Sequence, residues 1–189
     1  MDSSPPVRAA RLEDAAAIAR IYSEGIADRI ATFETQPRTA EDVRKWFEGR
    51  YPIAVAEVGG EVAAFAAASQ FRTRECYAGV AELSVYVARS RRGRGAGRAV
   101  LDELLRQSEA RGLWKIIAGV LSGNAASLRL LGGAGFREIG VYRKHAKLDG
   151  EWRDVVLLER LLGEAARDAD GEAANPRGTA ALSGAERQR

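Results

Sequence analysis

The feature that most constrains the fold is a glycine- and arginine-rich segment between a strand pattern and a helix pattern. It reads RSRRGRGAGR over residues 89–98, after the apolar alternation of Val85 and Val87 and before a helical repeat that starts at Val100. Glycines let the backbone approach a ligand without a Cβ clash. The first N–H groups of a helix point one way, with the positive end of its dipole behind them. The segment therefore predicts a strand–turn–helix unit that binds an anion such as a pyrophosphate.

Other interpretations of this segment differ in the ligand. No Gly-Lys-Ser/Thr follows, so a Walker A loop is excluded, and Arg98 stands where a G-x-G-x-x-G fingerprint starting at Gly93 needs glycine. Five arginines in ten residues leave a nucleic-acid patch open on local composition. The net charge of +3 and the pI of about 9.2 suit an anionic small molecule as well as a polyanion.

The remaining apolar patterns predict the order β-α-α-β-β-β-α-β-α-β-β. The predicted strands are 7–10, 53–58, 61–70, 79–88, 115–121, 136–147 and 151–158, and the predicted helices are 12–27, 39–48, 98–111 and 124–134. Gly59-Gly60 and Asp149-Gly150 are hairpin turn signals. This order predicts an α/β (α+β) fold, a mixed sheet with helices on both faces.

The length of 189 residues suffices for a single sizeable core, so we predict one domain over residues 1–162. From residue 163 the composition lacks periodicity, which predicts a disordered tail over 163–189, with a helix over 164–169 as the alternative. No apolar run approaches the roughly 20 residues of a membrane span, so no membrane partner is expected. We expect a cytoplasmic protein, because the N-terminus lacks a signal-peptide core and Cys76 is the one cysteine.

A second motif lies about 30 residues after the first. It reads Asn124-x-x-Ser127-x-x-Leu130-Leu131-x-x-x-Gly135-Phe136 on a predicted helix. Together with Arg92-x-x-Gly95-x-Gly97, it resembles the paired signatures of the GNAT acetyltransferase superfamily over residues 6–162. The resemblance implies a GNAT fold with about seven strands, and acetyl-CoA as the co-substrate without a metal.

The resemblance also implies where acetyl-CoA binds. The strand over 83–87 would splay from its neighbour and pair with the pantetheine arm, the amides of 93–98 would bind the pyrophosphate, and Asn124 would bind near the pantetheine. A helix N-cap is the alternative role for Asn124, and both roles are compatible. The implied cofactor-binding residues are Val85, Tyr86, Val87, Arg92, Gly93, Arg94, Gly95, Ala96, Gly97, Arg98, Asn124 and Ser127.

Glu82 is the candidate catalytic base. Acetyl transfer to an alkylammonium needs a group that removes a proton, usually a carboxylate. Glu82 precedes Leu83-Ser84-Val85 on a strand of apolar character, where burial would raise its pKa. A solvent-facing strand residue is the alternative on pattern alone.

A narrower resemblance concerns the acceptor. Thr32-Phe33-Glu34, the segment RTRECY over 72–77, Ala81-Glu82-x-Ser84, and Gly150-Glu151-Trp152-x-Asp154 look like the phosphinothricin acetyltransferase branch, closest to the arsinothricin N-acetyltransferases. It implies Glu82 as the base, Arg72 and Arg74 at a small amino-acid substrate, and a homodimer. The expected reaction is acetylation of the α-amino group of a toxic glutamate analogue, giving resistance.

The chemistry of the arginine pair agrees with such an acceptor. Arginine binds carboxylate and phosphinate or arsinate groups bidentately. Arg72 and Arg74 would face one side if the strand continued through them, and two solvated loop arginines are the alternative. Phe33 and Tyr77 are candidates for the pocket wall, although aromatic residues at such positions are often core.

Two departures from the family pattern bear on the mechanism. Leu131 stands where the superfamily often has a tyrosine, and phosphinothricin enzymes a histidine, that protonates the departing thiolate. The single histidine, His145, lies in the predicted C-terminal hairpin, where a surface position is favoured and an approach to the substrate is the alternative. The other functions left open are an acetyltransferase for methionine sulfoximine or methionine sulfone, another small amine, polyamines or protein N-termini, and a nucleic-acid module. The arginine pair disfavours polyamines, and the second motif disfavours nucleic acid.

Overall fold

The computed structural model describes residues 5–172 and contains one seven-stranded sheet in the order β1-β2-β3-β4-β5-β7-β6. Only β4 and β5 pair in parallel; the other neighbours are antiparallel. The predicted mixed sheet is therefore confirmed. The strands are β1 Val7–Ala9, β2 Ile53–Val58, β3 Glu61–Gln70, β4 Val80–Val87, β5 Lys115–Leu121, β6 Arg137–Leu148 and β7 Glu151–Leu161.

The four predicted helices lie close to their predicted positions, and a fifth helix follows β7. They are α1 Ala15–Ala27, α2 Ala40–Arg44, α3 Ala96–Ala110, α4 Ala125–Gly133 and α5 Gly163–Glu172, with 3₁₀ turns beside α1 at Leu12–Asp14 and beside α2 at Lys45–Glu48. Helix α2 begins with a capping box, in which the Asp42 N–H donates to the Thr39 hydroxyl and the Thr39 N–H donates to the Asp42 carboxylate. No helix within residues 5–172 is long and apolar enough to cross a membrane.

Helices cover both faces of the sheet, as predicted. Leu101 and Leu104 of α3 belong to one buried apolar cluster, and Ile18 and Ile21 of α1 belong to another on the opposite face. Strand β4 contributes to both clusters because its side chains alternate between the faces. Leu83, Val85 and Val87 pack toward α3, whereas Tyr86 packs toward α1.

The tail prediction is wrong at its start, because residues 163–172 form α5. Alanine, glutamate and arginine in this segment have high helix propensity, and Glu164 in the first turn interacts favourably with the helix dipole. The alternative helix over 164–169 describes this part of the chain correctly. The remainder of the predicted tail, 173–189, lies outside the described residues.

Candidate active site

The parallel strands β4 and β5 form a fork. They pair only at Val80–Lys115, Ala81–Ile116 and Glu82–Ile117. Strand β5 does not pair with the rest of β4. The predicted splay of residues 83–87 is therefore confirmed. Glu82 belongs to the last pair, so it lies where the fork opens.

The splay frees backbone groups on one side of β4. The Ala88 N–H donates to the Ala63 carbonyl across the β3–β4 pair. Because antiparallel bonding alternates along a strand, Leu83, Val85 and Val87 direct their N–H and C=O groups away from β3 and toward the open fork. The Val87 carbonyl accepts from Arg92 Nε, and an extended chain with amide groups, such as the pantetheine arm, can pair with Val85 and with the Val87 N–H.

A cavity of about 770 Å³ occupies the fork and the space in front of it. Its wall includes residues 82–86 of β4 and 117–121 of β5. Phe33, Arg72 and Leu131 join the wall from elements distant in sequence. The cavity therefore combines the candidate cofactor strand with candidate acceptor residues.

The glycine-rich segment leads from β4 into α3. Gly93 and Gly95 have φ values of 73° and 81°, the left-handed region that glycine adopts at little cost. Gly95 is the N-cap of α3. Within residues 5–172, the backbone N–H groups of Gly93 to Arg98 donate to no acceptor. These groups, at a helix N-terminus, fit a pyrophosphate.

The arginine side chains of this segment are mostly paired within the protein. Arg92 reaches Asp28 at 2.7 Å and donates through Nε to the Val87 carbonyl, and Arg89 also pairs with Asp28. Arg98 bonds to Asp102 and to the Gly133 carbonyl. Arg94 is exposed and has no ion pair within the described residues. Backbone amides are therefore the main candidates for binding an anion, and the segment is less positive than its composition implies.

Asn124 is the N-cap of α4. Its Oδ1 accepts the Ser127 N–H at 3.1 Å, and both residues line the cavity. Asn124 is only 8% exposed. The N-cap role is thus present in the structure, and the position in the cavity wall agrees with contact to the cofactor as well.

Glu82 has the chemistry of a base held at the fork. Its side chain lines the cavity, and partial burial raises its pKa above the ordinary range, while the nearby Arg72 guanidinium opposes that rise. A carboxylate with a raised pKa accepts a proton more readily, as general-base catalysis requires. No group of three or more potential metal ligands occurs within residues 5–172.

The four candidate acceptor residues occupy two different environments. Arg72 and Phe33 line the cavity, whereas Arg74 and Tyr77 do not. Strand β3 ends at Gln70, so the expectation that a continuing strand would align the two arginines is wrong. Tyr77 instead packs edge-on against Phe71, with ring centroids 5.7 Å apart. The turn at 71–77 separates residues that a strand would have aligned.

The C-terminal hairpin contributes two further cavity residues, of which the sequence did not single out Tyr142. His145 lines the cavity together with Tyr142, and both side chains are exposed, so the favoured surface position and the alternative approach to the cavity both hold. Their rings stack with centroids 4.9 Å apart. The exposed residues of the hairpin gave no signal that Tyr142 borders a cavity, because the rest of that cavity is formed by the fork, which is distant in sequence. Leu131, by contrast, lies where expected, 1% exposed and facing the cavity.

Two parallel strands that fork, next to a glycine turn at a helix N-terminus, define the class of acyltransferases that use a coenzyme A thioester. Residues 7–157 match the family described as Acetyltransferase (GNAT) domain. The chain belongs to this family and is an acetyl-CoA-dependent N-acetyltransferase.

Individual relatives and a solved structure show which members of the family this chain resembles. The chain is 36% identical over 160 residues to the putative phosphinothricin acetyltransferase YwnH of Bacillus subtilis, covering 82% of this chain and 98% of that one. It is 32% identical over 161 residues to an L-methionine sulfoximine/L-methionine sulfone acetyltransferase of Pseudomonas paraeruginosa, covering 82% and 94%. The acetyl-CoA complex of a phosphinothricin acetyltransferase from Sinorhizobium meliloti superimposes with a TM-score of 0.81 at 30% identity, covering 87% and 92%.

Proposed function

We propose that this enzyme acetylates the α-amino group of a toxic glutamate-analogue amino acid, of the phosphinothricin or arsinothricin type. The observation that carries the proposal is that Arg72 and Glu82 line the same cavity at the opening of the fork. The guanidinium provides a bidentate partner for a carboxylate, and Glu82 provides a base for the adjacent ammonium. The relatives named for phosphinothricin and for L-methionine sulfoximine or L-methionine sulfone support the same acceptor class.

In the proposed reaction Glu82 takes a proton from the acceptor ammonium, and the neutral amine attacks the thioester carbon. As the carbon–sulfur bond breaks, the acylated nitrogen gives up its second proton to water, leaving a neutral amide and the coenzyme A thiolate. The free backbone groups of β4 hold the pantetheine arm in the fork, and the amides of 93–98 hold the pyrophosphate. Catalysis then consists of alignment and proton removal.

Leu131 determines how the thiolate leaves. Its buried side chain faces the cavity where the family often has a proton donor, and leucine cannot donate a proton. A thiol pKa of about 8.5 makes the thiolate a good leaving group. We infer that the thiolate departs unprotonated or takes its proton from water.

The acceptor assignment is tested by coenzyme A release with phosphinothricin, arsinothricin, methionine sulfoximine and methionine sulfone. We expect Arg72→Gln to raise the acceptor KM by roughly 10-fold to 100-fold, because the acceptor carboxylate loses a charge-assisted pair of hydrogen bonds. Arg74→Gln is the matched control, since Arg74 lies on the same loop outside the cavity wall, and should change KM less than about twofold.

Two results would contradict this assignment. One is the absence of coenzyme A release with every amino acid tested. The other is a higher kcat/KM for N-terminal peptides or polyamines than for the amino acids, which would favour a different acceptor class. Mass spectrometry of the product checks that the acetyl group is on the α-nitrogen.

We further propose that the enzyme confers resistance, acts in the cytoplasm and forms a homodimer. The β6 edge of the sheet supports the dimer, because Val141 and Trp152 of the C-terminal hairpin are 45% and 54% exposed. Unpaired strand edges with apolar side chains favour association. We expect sedimentation to show a dimer that Val141→Arg converts to a monomer. A monomeric wild type at micromolar concentration would refute the dimer.

A further inference from the structure

Strand β6 contains an irregularity beside the active-site cavity. It pairs with β7 at Tyr142–Val155 and again at Ala146–Arg153. Three residues of β6, 143–145, therefore lie opposite the single residue Asp154. Bulges of this kind redirect side chains and are frequent next to active sites.

The bulge is held in place by a specific contact. Lys144 has a φ of 48°, a left-handed conformation that costs free energy for a residue with a side chain. The Lys144 N–H donates to Asp154 Oδ1 at 2.7 Å, which compensates for the ladder bond that this residue lacks. Asp154 is thus the residue that stabilises the bulge.

The bulge brings His145 to the cavity in a defined position. The imidazole stacks on Tyr142, with the planes 26° apart, and its centroid lies 6.3 Å from that of Phe33. Phe33 comes from the loop between α1 and α2, so two separate elements fix the ring. The stacking uses the ring face and leaves the ring nitrogens available for hydrogen bonds.

His145 and Arg72 approach the cavity from different directions. Within the described residues, these two are the only basic side chains in the cavity wall. Arg72 follows β3 and acts on Glu82 electrostatically, whereas His145 belongs to β6 at the end of the sheet. An acceptor whose carboxylate meets Arg72 and whose amine meets Glu82 can extend its side chain toward His145.

We propose that His145 is the specificity residue for the far end of the acceptor side chain. An imidazole N–H donates to oxygen atoms at that end, and so favours amino acids with a phosphinate, arsinate, sulfone or sulfoximine over those with an alkyl or thioether end. Asp154 is a positioning residue, acting through the bulge. This inference rests on the proposed amino-acid acceptor.

The test compares methionine sulfone with methionine, which differ by the two oxygens. His145→Phe keeps the ring stack and removes the N–H. We expect kcat/KM for the sulfone to fall roughly 10-fold to 100-fold, while the value for methionine and the acetyl-CoA KM change less than twofold. Arg143→Gln, in the same bulge and outside the cavity wall, is the control and should leave the sulfone-to-methionine ratio unchanged.

A second variant tests the positioning role. Asp154→Ala should lower the same ratio, and the double variant with His145→Phe should lower it no further than His145→Phe alone, because both act through one imidazole. A general structural defect would instead lower kcat/KM for both substrates and lower the unfolding midpoint.

The outcomes separate this inference from the proposed function. Equal losses with the sulfone and methionine, or no loss with either, overturn the specificity role while the acceptor assignment stands. If the wild type acetylates no amino acid, both are overturned.

Discussion

Replacing Glu82 with glutamine is expected to lower kcat by roughly 10²-fold to 10⁴-fold and to leave the KM for acetyl-CoA nearly unchanged. The amide has the shape of the carboxyl group and cannot accept the proton of the acceptor ammonium. The groups proposed to bind the cofactor are backbone groups of β4 and of residues 93–98, which the substitution does not touch. Steady-state release of coenzyme A, with acetyl-CoA binding measured separately, checks both parts.

The pH dependence provides a second readout of Glu82. The carboxyl group must be ionised to act as a base, and burial raises its pKa above the ordinary value, so kcat/KM should rise with pH through that raised pKa. The Arg72 guanidinium lowers the same pKa. Arg72→Gln should therefore move this rise to higher pH, and Glu82→Gln should remove it.

The control for this prediction is Glu61→Gln on β3, an exposed glutamate outside the cavity wall. It should leave kcat and the pH profile unchanged. Turnover by Glu82→Gln at the wild-type rate would exclude Glu82 as the base and leave the fork as a cofactor site alone.

Replacing Gly95 with alanine should raise the KM for acetyl-CoA roughly 10-fold or more. A residue with a Cβ in the left-handed region costs about 1–2 kcal/mol, and relief of that strain rotates the peptide groups that point at the pyrophosphate. A loss of about 1.4 kcal/mol corresponds to a tenfold change in affinity. Steady-state kinetics measures the KM, and titration calorimetry with coenzyme A measures the corresponding loss of binding affinity.

The matched control is Gly112→Ala. Gly112 follows α3 with a φ of 77° and open space around it, and it lies at the other end of the helix from residues 93–98. Both substitutions should lower the free energy of unfolding by a similar amount, but only Gly95→Ala should weaken acetyl-CoA. A short acetyl thioester without the pyrophosphate should react equally with wild type and Gly95→Ala. An unchanged acetyl-CoA KM in Gly95→Ala would contradict the assignment of the pyrophosphate site.

The sequence by itself determined the parts of this protein whose signals are local. The alternation in β4, the turn glycines at 93 and 95, and the capping residue Asn124 each depend on neighbours a few residues away, and all occupy the predicted elements. The candidate cofactor site was predictable for the same reason, because it consists almost entirely of a strand, a glycine turn and a helix N-terminus.

Only the tertiary structure decided the acceptor end of the cavity. It separated Arg72 from Arg74, because β3 ends before them, and it brought His145 to the cavity through a bulge that Asp154 stabilises ten residues away. The local pattern of exposed residues in β6 is equally typical of a strand that lies on the surface and borders no site. The difference arises because the turn after β3, the α1–α2 loop and the C-terminal hairpin line one cavity, an arrangement that no spacing within one segment encodes.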